Sequence, residues 1–207
     1  MGKELRNLIF DFGNVLIGVD EAKTYKAFEE LGCKPELQDN TGLFHSLDKG
    51  EISQEEFLDK LKDYVPKHIM RRDLLAAWNA LLLSIPDTSY DLLKTVRTKF
   101  SLALLSNTSV PHISEIKRAA GPYDWKRFAS FFEAMHYSFD LGCRKPEAEI
   151  FAKVEVFHGW EAESCILVDD RDENLKAAED RGWTAIHFAM DQGDSHAELV
   201  KTLLALS

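Results

Sequence analysis

Three apolar runs in this chain stop abruptly at polar residues of different kinds. Leu8-Ile9-Phe10 ends at Asp11, Leu102-Ala103-Leu104-Leu105 at Ser106-Asn107, and Cys165-Ile166-Leu167-Val168 at Asp169-Asp170. A single lysine, Lys145, stands just before Pro146 and a helical stretch. A carboxylate can accept a phosphoryl group, but that group carries spread negative charge and repels an anion unless cations neutralise it. A Mg²⁺ held by one or two carboxylates plus waters meets this need, and Asp11 and Asp170 are the candidate ligands. Lys145 adds positive charge near carboxylate and phosphate, Ser106 offers a hydroxyl donor to a phosphate oxygen, and Asn107 an amide donor. Taken singly, each residue has an ordinary structural account. An Asp after a strand is usually a turn residue, Ser-Asn a good cap, a lone lysine a solvated charge, and paired acids suit a helix N-terminus. The order Asp, Ser, Lys, Asp-Asp, each in its own strand context, is what argues for one shared site.

Such residues meet only if their strands lie side by side. Strands apolar throughout, alternating with helices, indicate an α/β fold: a Rossmann-like parallel sheet covered on both faces, with its ligand site outside the carboxyl ends of the strands. Thr184–Phe188 reads as a fourth strand. Helical patterns occupy the stretch from about Asp20 to Phe100: Tyr25, Phe28 and Leu31 share a face that Gly32 stops, Ser53-Gln54-Glu55-Glu56 is a capping box, and Ser84-Ile85-Pro86-Asp87 separates the last two helices. Further helices run from Pro111 to Gly121, from Pro146, and around Leu175 to Glu179. The chain thus divides into a core of residues 1–16 plus 91–207 and an inserted α-helical cap of residues 17–90, with hinges expected near 16–20 and 84–90.

Composition limits the partners. The 207 residues are 45% hydrophobic, enough for a real core, and carry a net charge of −10 from 25 basic and 35 acidic residues. That balance argues against nucleic acid and anionic membranes as partners, though not against a small anion held by local cations. Cys33, Cys143 and Cys165 lack CxxC spacing and read as reduced thiols. The start, Met1 to Arg6, is polar, Arg6 stands where a myristoylation motif wants Ser or Thr, and no apolar run reaches membrane-span length. A cytoplasmic monomer or homodimer is the expectation.

With these residues laid out, the chain resembles the haloacid dehalogenase (HAD) superfamily. The resemblance rests on Leu8-Ile9-Phe10-Asp11-Phe12-Gly13-Asn14-Val15-Leu16, on Leu104-Leu105-Ser106-Asn107, on Lys145-Pro146, and on Val168-Asp169-Asp170 through Asn174. It covers essentially the whole chain, with the helical insertion where that family places its type-1 cap. In Gly50-Glu51-Ile52-Ser53, Trp78 and Gly142-Cys143-Arg144-Lys145-Pro146-Glu147 it is similar to the bacterial branch that includes an α-glucose-1-phosphate phosphatase. The phosphatase domain of soluble epoxide hydrolases also looks related. The resemblance implies that Asp11 is the nucleophile and a Mg²⁺ ligand, with the backbone carbonyl of Gly13 and Asp170 as further ligands. It implies Asp169 one step out from the metal, Asn174 orienting a metal-bound water or Lys145, and Ser106, Asn107 and Lys145 holding the phosphate. The implied activity is hydrolysis of a small phosphorylated metabolite, with a sugar 1-phosphate as the leading candidate.

One position departs from the family. Gly13 stands where most of its phosphatases carry a second aspartate, which protonates the leaving group and activates water; such help is typically worth about 10²–10⁴-fold. A good leaving group would make it dispensable, or the cap would supply it. His45, Asp48 and Glu51 lie in the right segment, although surface residues are the simpler reading of all three. Gly13 also suits a hydrolytic haloacid dehalogenase, whose halide needs no proton, but such an enzyme has little use for Asp169-Asp170. A HAD-fold binding protein with weakened catalysis fits Gly13 and does not account for Asp11, Lys145 and Asp170. A receiver domain reverses the order of acidic pair and acceptor Asp.

Overall fold

The computed structural model describes residues 6–37 and 39–206; the N-terminal reading, apart from Arg6, lies outside them. Five parallel strands form one sheet: β1 (Arg6–Phe10), β2 (Phe100–Ser106), β3 (Ala134–Tyr137), β4 (Cys165–Asp169) and β5 (Thr184–His187), in the order β3-β2-β1-β4-β5. β1 is central because it is apolar on both faces: Leu8, Ile9 and Phe10 are each 0% exposed. Side chains alternate across a strand. Leu8, Phe10, Leu102, Leu104, Ile166 and Val168 therefore face one layer of helices, and Ile9, Ala103, Leu105, Cys165 and Leu167 face the other. The first layer includes α5 (Asp87–Val96), α6 (Val110–Ala129) and α10 (His196–Ala205), and the second α8 (Ala148–His158) and α9 (Asp172–Asp180).

The sheet has one strand more than the sequence reading counted, so Thr184–His187 is the fifth. α6 also runs past its expected stop: it breaks at Gly121, whose φ of 76° suits glycine, and resumes with Pro122.

Between β1 and β2 lie α1 (Glu21–Glu30), α2 (Thr41–Asp48), α3 (Gln54–Leu61) and α4 (Arg71–Asn79). They pack around their own apolar cluster, with Phe57, Leu61 and Leu74 at 0% exposure and Trp78 at 7%. The capping box at Ser53 and Glu56 forms as its sequence requires. A short antiparallel tie joins the two ends of this segment: Leu83 N donates to Gly18 O at 3.0 Å and Asp20 N to Leu81 O at 2.9 Å, flanking the bridge Val19–Leu82. The tie lies beside the expected hinges, and Tyr90, Leu92, Leu93 and Val96 of α5 already pack on the sheet. Trp78 joins the helical segment to α6, stacking on His112 at 4.8 Å and donating from Nε1 to Ser109 Oγ at 3.3 Å. Burial pushes the His112 imidazole down to about 4, so it stays neutral and donates to the Trp78 carbonyl.

Candidate active site

The carboxyl ends of β1, β2 and β4 bring the sequence-selected residues together. Asp11 directly follows β1, and its backbone N–H reaches Val168 O at 2.8 Å, which continues the pairing with β4 and fixes the carboxylate beside it. Lys145 lies between two carboxylates: its Nζ is 2.6 Å from Asp11 Oδ1 and 2.5 Å from Asp169 Oδ2. Asp169 is fully committed, since its Oδ1 also accepts from Arg171 N at 3.0 Å and from Asn174 Nδ2 at 2.9 Å. Asn174 thus reaches Lys145 only through Asp169. Its own Oδ1 is buried without a hydrogen-bond partner among the described residues.

Asn107 clamps Lys145 from behind: Nδ2 donates to Lys145 O and Oδ1 accepts from Lys145 N, both at 2.8 Å. One amide N–H of Asn107 remains free for another acceptor. Ser106 is 4% exposed, and its hydroxyl has no hydrogen-bond partner among the described residues. Thr108 is pinned to Ser138 Oγ through its N–H and carbonyl, which holds the loop after β2 in place.

Electrostatics explain why the cluster needs more than Lys145. Carboxylate oxygens of Asp11, Asp169 and Asp170 all lie within 4.8 Å of one another. Burial pushes the Asp11 carboxyl up, Lys145 pulls it down, and Asp169 and Asp170 push it up again, leaving it above the ordinary value. Burial and then Asp169 likewise raise Asp170. Lys145 is held protonated, because Asp11 and Asp169 outweigh the cost of burying its charge. Three carboxylates face one ammonium, an excess that favours a further cation.

Sequence reasoning gave no role to Asn14, Arg144 or Arg171. Asn14 adopts the left-handed conformation at φ 54°, which asparagine tolerates. Its side chain accepts from Val19 N at 3.1 Å and donates to Asp170 Oδ2 at 3.3 Å, so it ties the first turn to the second carboxylate. The pairing Asp-Phe-Gly-Asn was the available signal. Gly13 itself has an ordinary φ, and a Cβ there would lie 3.3 Å from Val19 Cγ2 and 3.9 Å from Asp11 Oδ2.

The cluster opens into a cavity of about 350 Å³ between the sheet ends and the helical segment. Phe44, His45, Asp48 and Trp78 line it on the helical side, and Ser106, Asn107, Arg144 and Arg171 on the sheet side. Asp48 is half-buried against this cavity, so its surface reading is corrected, whereas His45 borders the cavity and remains exposed. Glu51 remains exposed, 3.8 Å from Lys49.

Residues 5–182 match the haloacid dehalogenase-like hydrolase family. The chain belongs to this family. Among curated relatives, a D-ribitol-5-phosphate phosphatase of Bacteroides thetaiotaomicron is 26% identical over 185 residues, covering 86% of this chain and 89% of that one. A solved HAD family enzyme from the same organism, in complex with magnesium and inorganic phosphate, superposes with a TM-score of 0.83 at 30% identity, over 95% of this chain and 99% of that one. A predicted HAD-like family hydrolase from Porphyromonas gingivalis gives 0.82 at 28% identity, over 98% of each chain. HAD-like hydrolases are enzymes, and the parallel five-stranded sheet fits that membership. No described helix of this HAD-like hydrolase is long and apolar enough to cross a membrane.

Proposed function

We propose that this HAD-like hydrolase is a Mg²⁺-dependent phosphatase acting on a small sugar or polyol phosphate through an aspartyl-phosphate at Asp11. The observation that carries this is the Lys145 ammonium, 2.6 Å from Asp11 and 2.5 Å from Asp169, at the floor of a cavity of small-metabolite size. The ribitol phosphate acted on by the curated relative and the magnesium and phosphate held by the solved neighbour support the substrate class and the metal. A sugar 1-phosphate falls within that class.

The donor set fits Mg²⁺. Asp11 and Asp170 offer hard oxygens, the backbone carbonyl of Gly13 would be the third protein ligand, and the unpartnered Asn174 Oδ1 would accept from a water on the ion. Bound there, the ion would neutralise phosphoryl charge. Asp169, with both oxygens engaged, holds Lys145 and the start of α9 rather than the metal. Lys145, the free Ser106 hydroxyl and the remaining Asn107 N–H would hold the phosphate oxygens. Asp11 attacks phosphorus in line, the alcohol departs, and water then releases phosphate from Asp11. We read residues 17–90 as the cap and 1–16 plus 91–207 as the core, with the cap excluding bulk water.

The test is a panel of phosphate esters with and without Mg²⁺, on wild type and Asp11→Asn. Asp11→Asn should lose on the order of 10³-fold or more. Equal activity in both proteins would sink the assignment, and halide release from haloacids without metal would favour a dehalogenase.

A further inference from the structure

The reaction has a gap at Gly13. An alkoxide is a poor leaving group without a proton, and no side chain exists at that position to give one. In-line displacement fixes where a substitute must stand. Asp11 attacks from the sheet side, so the alcohol leaves toward the opposite, helical wall, and water later enters from there.

Four carboxylates line the cavity: Asp11, Glu21, Asp48 and Asp170. Asp11 is bonded to Lys145, Asp170 to Asn14, and Glu21 to Arg171 at 2.8 Å. Asp48, half-buried at the last turn of α2, has no hydrogen bond or ion pair among the described residues. It is thus the one cavity carboxyl on the helical wall that is free to meet a ligand. We propose that Asp48 donates the proton to the leaving alcohol and takes one back from the attacking water, the work that Gly13 cannot do. This rests on the phosphatase reading of the same site.

The step balances. As the Asp11 oxygen–phosphorus bond forms, the phosphorus–alkoxy bond breaks with its electron pair on oxygen, and that oxygen takes the Asp48 proton. In the second step water bonds to phosphorus, the Asp11–phosphorus link breaks, and the Asp48 carboxylate accepts the water's proton. Both groups end as they began.

The surroundings suit the task. Burial pushes the Asp48 carboxyl up to about 7, against the opposing pull of Arg144 and then Arg171. Of the elements packed on α2, α3 commits Glu56 to Ser53 and Asp59 to Arg71, and α7 (Ser138–Leu141) carries the exposed Asp140. On α2 itself, His45 lies one turn earlier, and Lys49 beyond its end pairs with Glu147 at 3.0 Å. Arg144 also lines the cavity, and its Nε is buried with no hydrogen-bond partner among the described residues.

The experiment compares kcat/KM for p-nitrophenyl phosphate and for an alkyl phosphate, glycerol phosphate, on wild type, Asp48→Asn, Asp48→Glu and Asp11→Asn. kcat/KM reports transfer to Asp11 and is blind to the later water step. Asp48→Asn should lose about 10²–10³-fold on the alkyl ester and less than about 10-fold on the aryl ester, whose phenolate leaves unaided. Asp48→Glu should recover part of the alkyl activity. Asp48→Asn should also release a burst of one nitrophenol per enzyme before slowing, because its water step lacks a base. Losses of equal size on both esters, or a rise in KM alone, would overturn the proposal and leave Asp48 a hydroxyl-binding or structural residue. Retained aryl activity shows that the variant folds. If Asp11→Asn matches wild type on both esters, the phosphatase reading itself fails, whatever Asp48 does.

Discussion

Asp11, Lys145, Asp169 and Asp170 concentrate three negative charges around one positive charge, and that imbalance makes the site's stability depend on added cations. Mg²⁺ should raise the melting temperature of the wild-type protein, since a ligand present at 100 times its Kd stabilises by about 2.7 kcal/mol. Asp170→Asn should remove most of that rise; an undiminished rise would place the metal elsewhere. Asp48 gives a second test, in pH. Its folded value of about 7 lies above the ordinary 3.8, so the folded protein binds that proton more tightly than the unfolded chain. The stabilisation is complete below the ordinary value and is lost as pH rises through about 7. Asp48→Asn, which never ionises, should therefore melt higher than wild type at pH 8, with the difference vanishing toward pH 4 in parallel thermal scans. The chemistry-bearing residues were legible because each ended an apolar run or preceded a helix. Asn14 and Arg144 were not, because their roles depend on backbone conformation and on a cavity that only the assembled fold creates. Asp48 was visible as one of three candidates, with His45 and Glu51, and nothing local showed which way its helix turns.

The turn at the end of α2 decides how its residues meet the core. Gly50 has φ +67°, and a Cβ built there would lie 2.4 Å from the carbonyl oxygen of Phe139. Gly50→Ala should shift that turn off α7 and pull Asp48 from the cavity. The expected result is a stability loss of more than about 1 kcal/mol, with kcat falling on alkyl esters; unchanged activity and stability would mean the contact is slack. Elements with strong local signals were readable: the run of β1, the capping box of α3, and the break at Gly121. β3 was not, because Ala134-Met135-His136-Tyr137 mixes polar and apolar residues on an edge strand, as its half-buried first two residues reflect. α10 went unread because its buried face is sparse, formed by His196, Leu199 and Leu203.

On the scale of the molecule, two apolar layers clamp the sheet and a third cluster serves the helical segment alone. Trp78 is the main aromatic link between the third cluster and the rest, through Ser109 and His112. Trp78→Ala should cost about 3–5 kcal/mol, and it should separate one melting transition into two if the helical segment holds together by itself. A single unshifted transition would show that the seam contributes little. The parallel sheet was foreseeable from alternating runs, whereas the stacking of one indole on one imidazole was not. The backbone tie at Gly18 and Leu83 has an engineering consequence. The helical segment enters and leaves through two chain positions already joined by a 3.0 Å hydrogen bond, the span that a two-residue β-turn closes. A splice of one or two glycines there would excise residues 19–82 without stretching the sheet. The same crossing makes the site a socket, into which a different roof could be grafted to present Asp11 with a different choice of molecules.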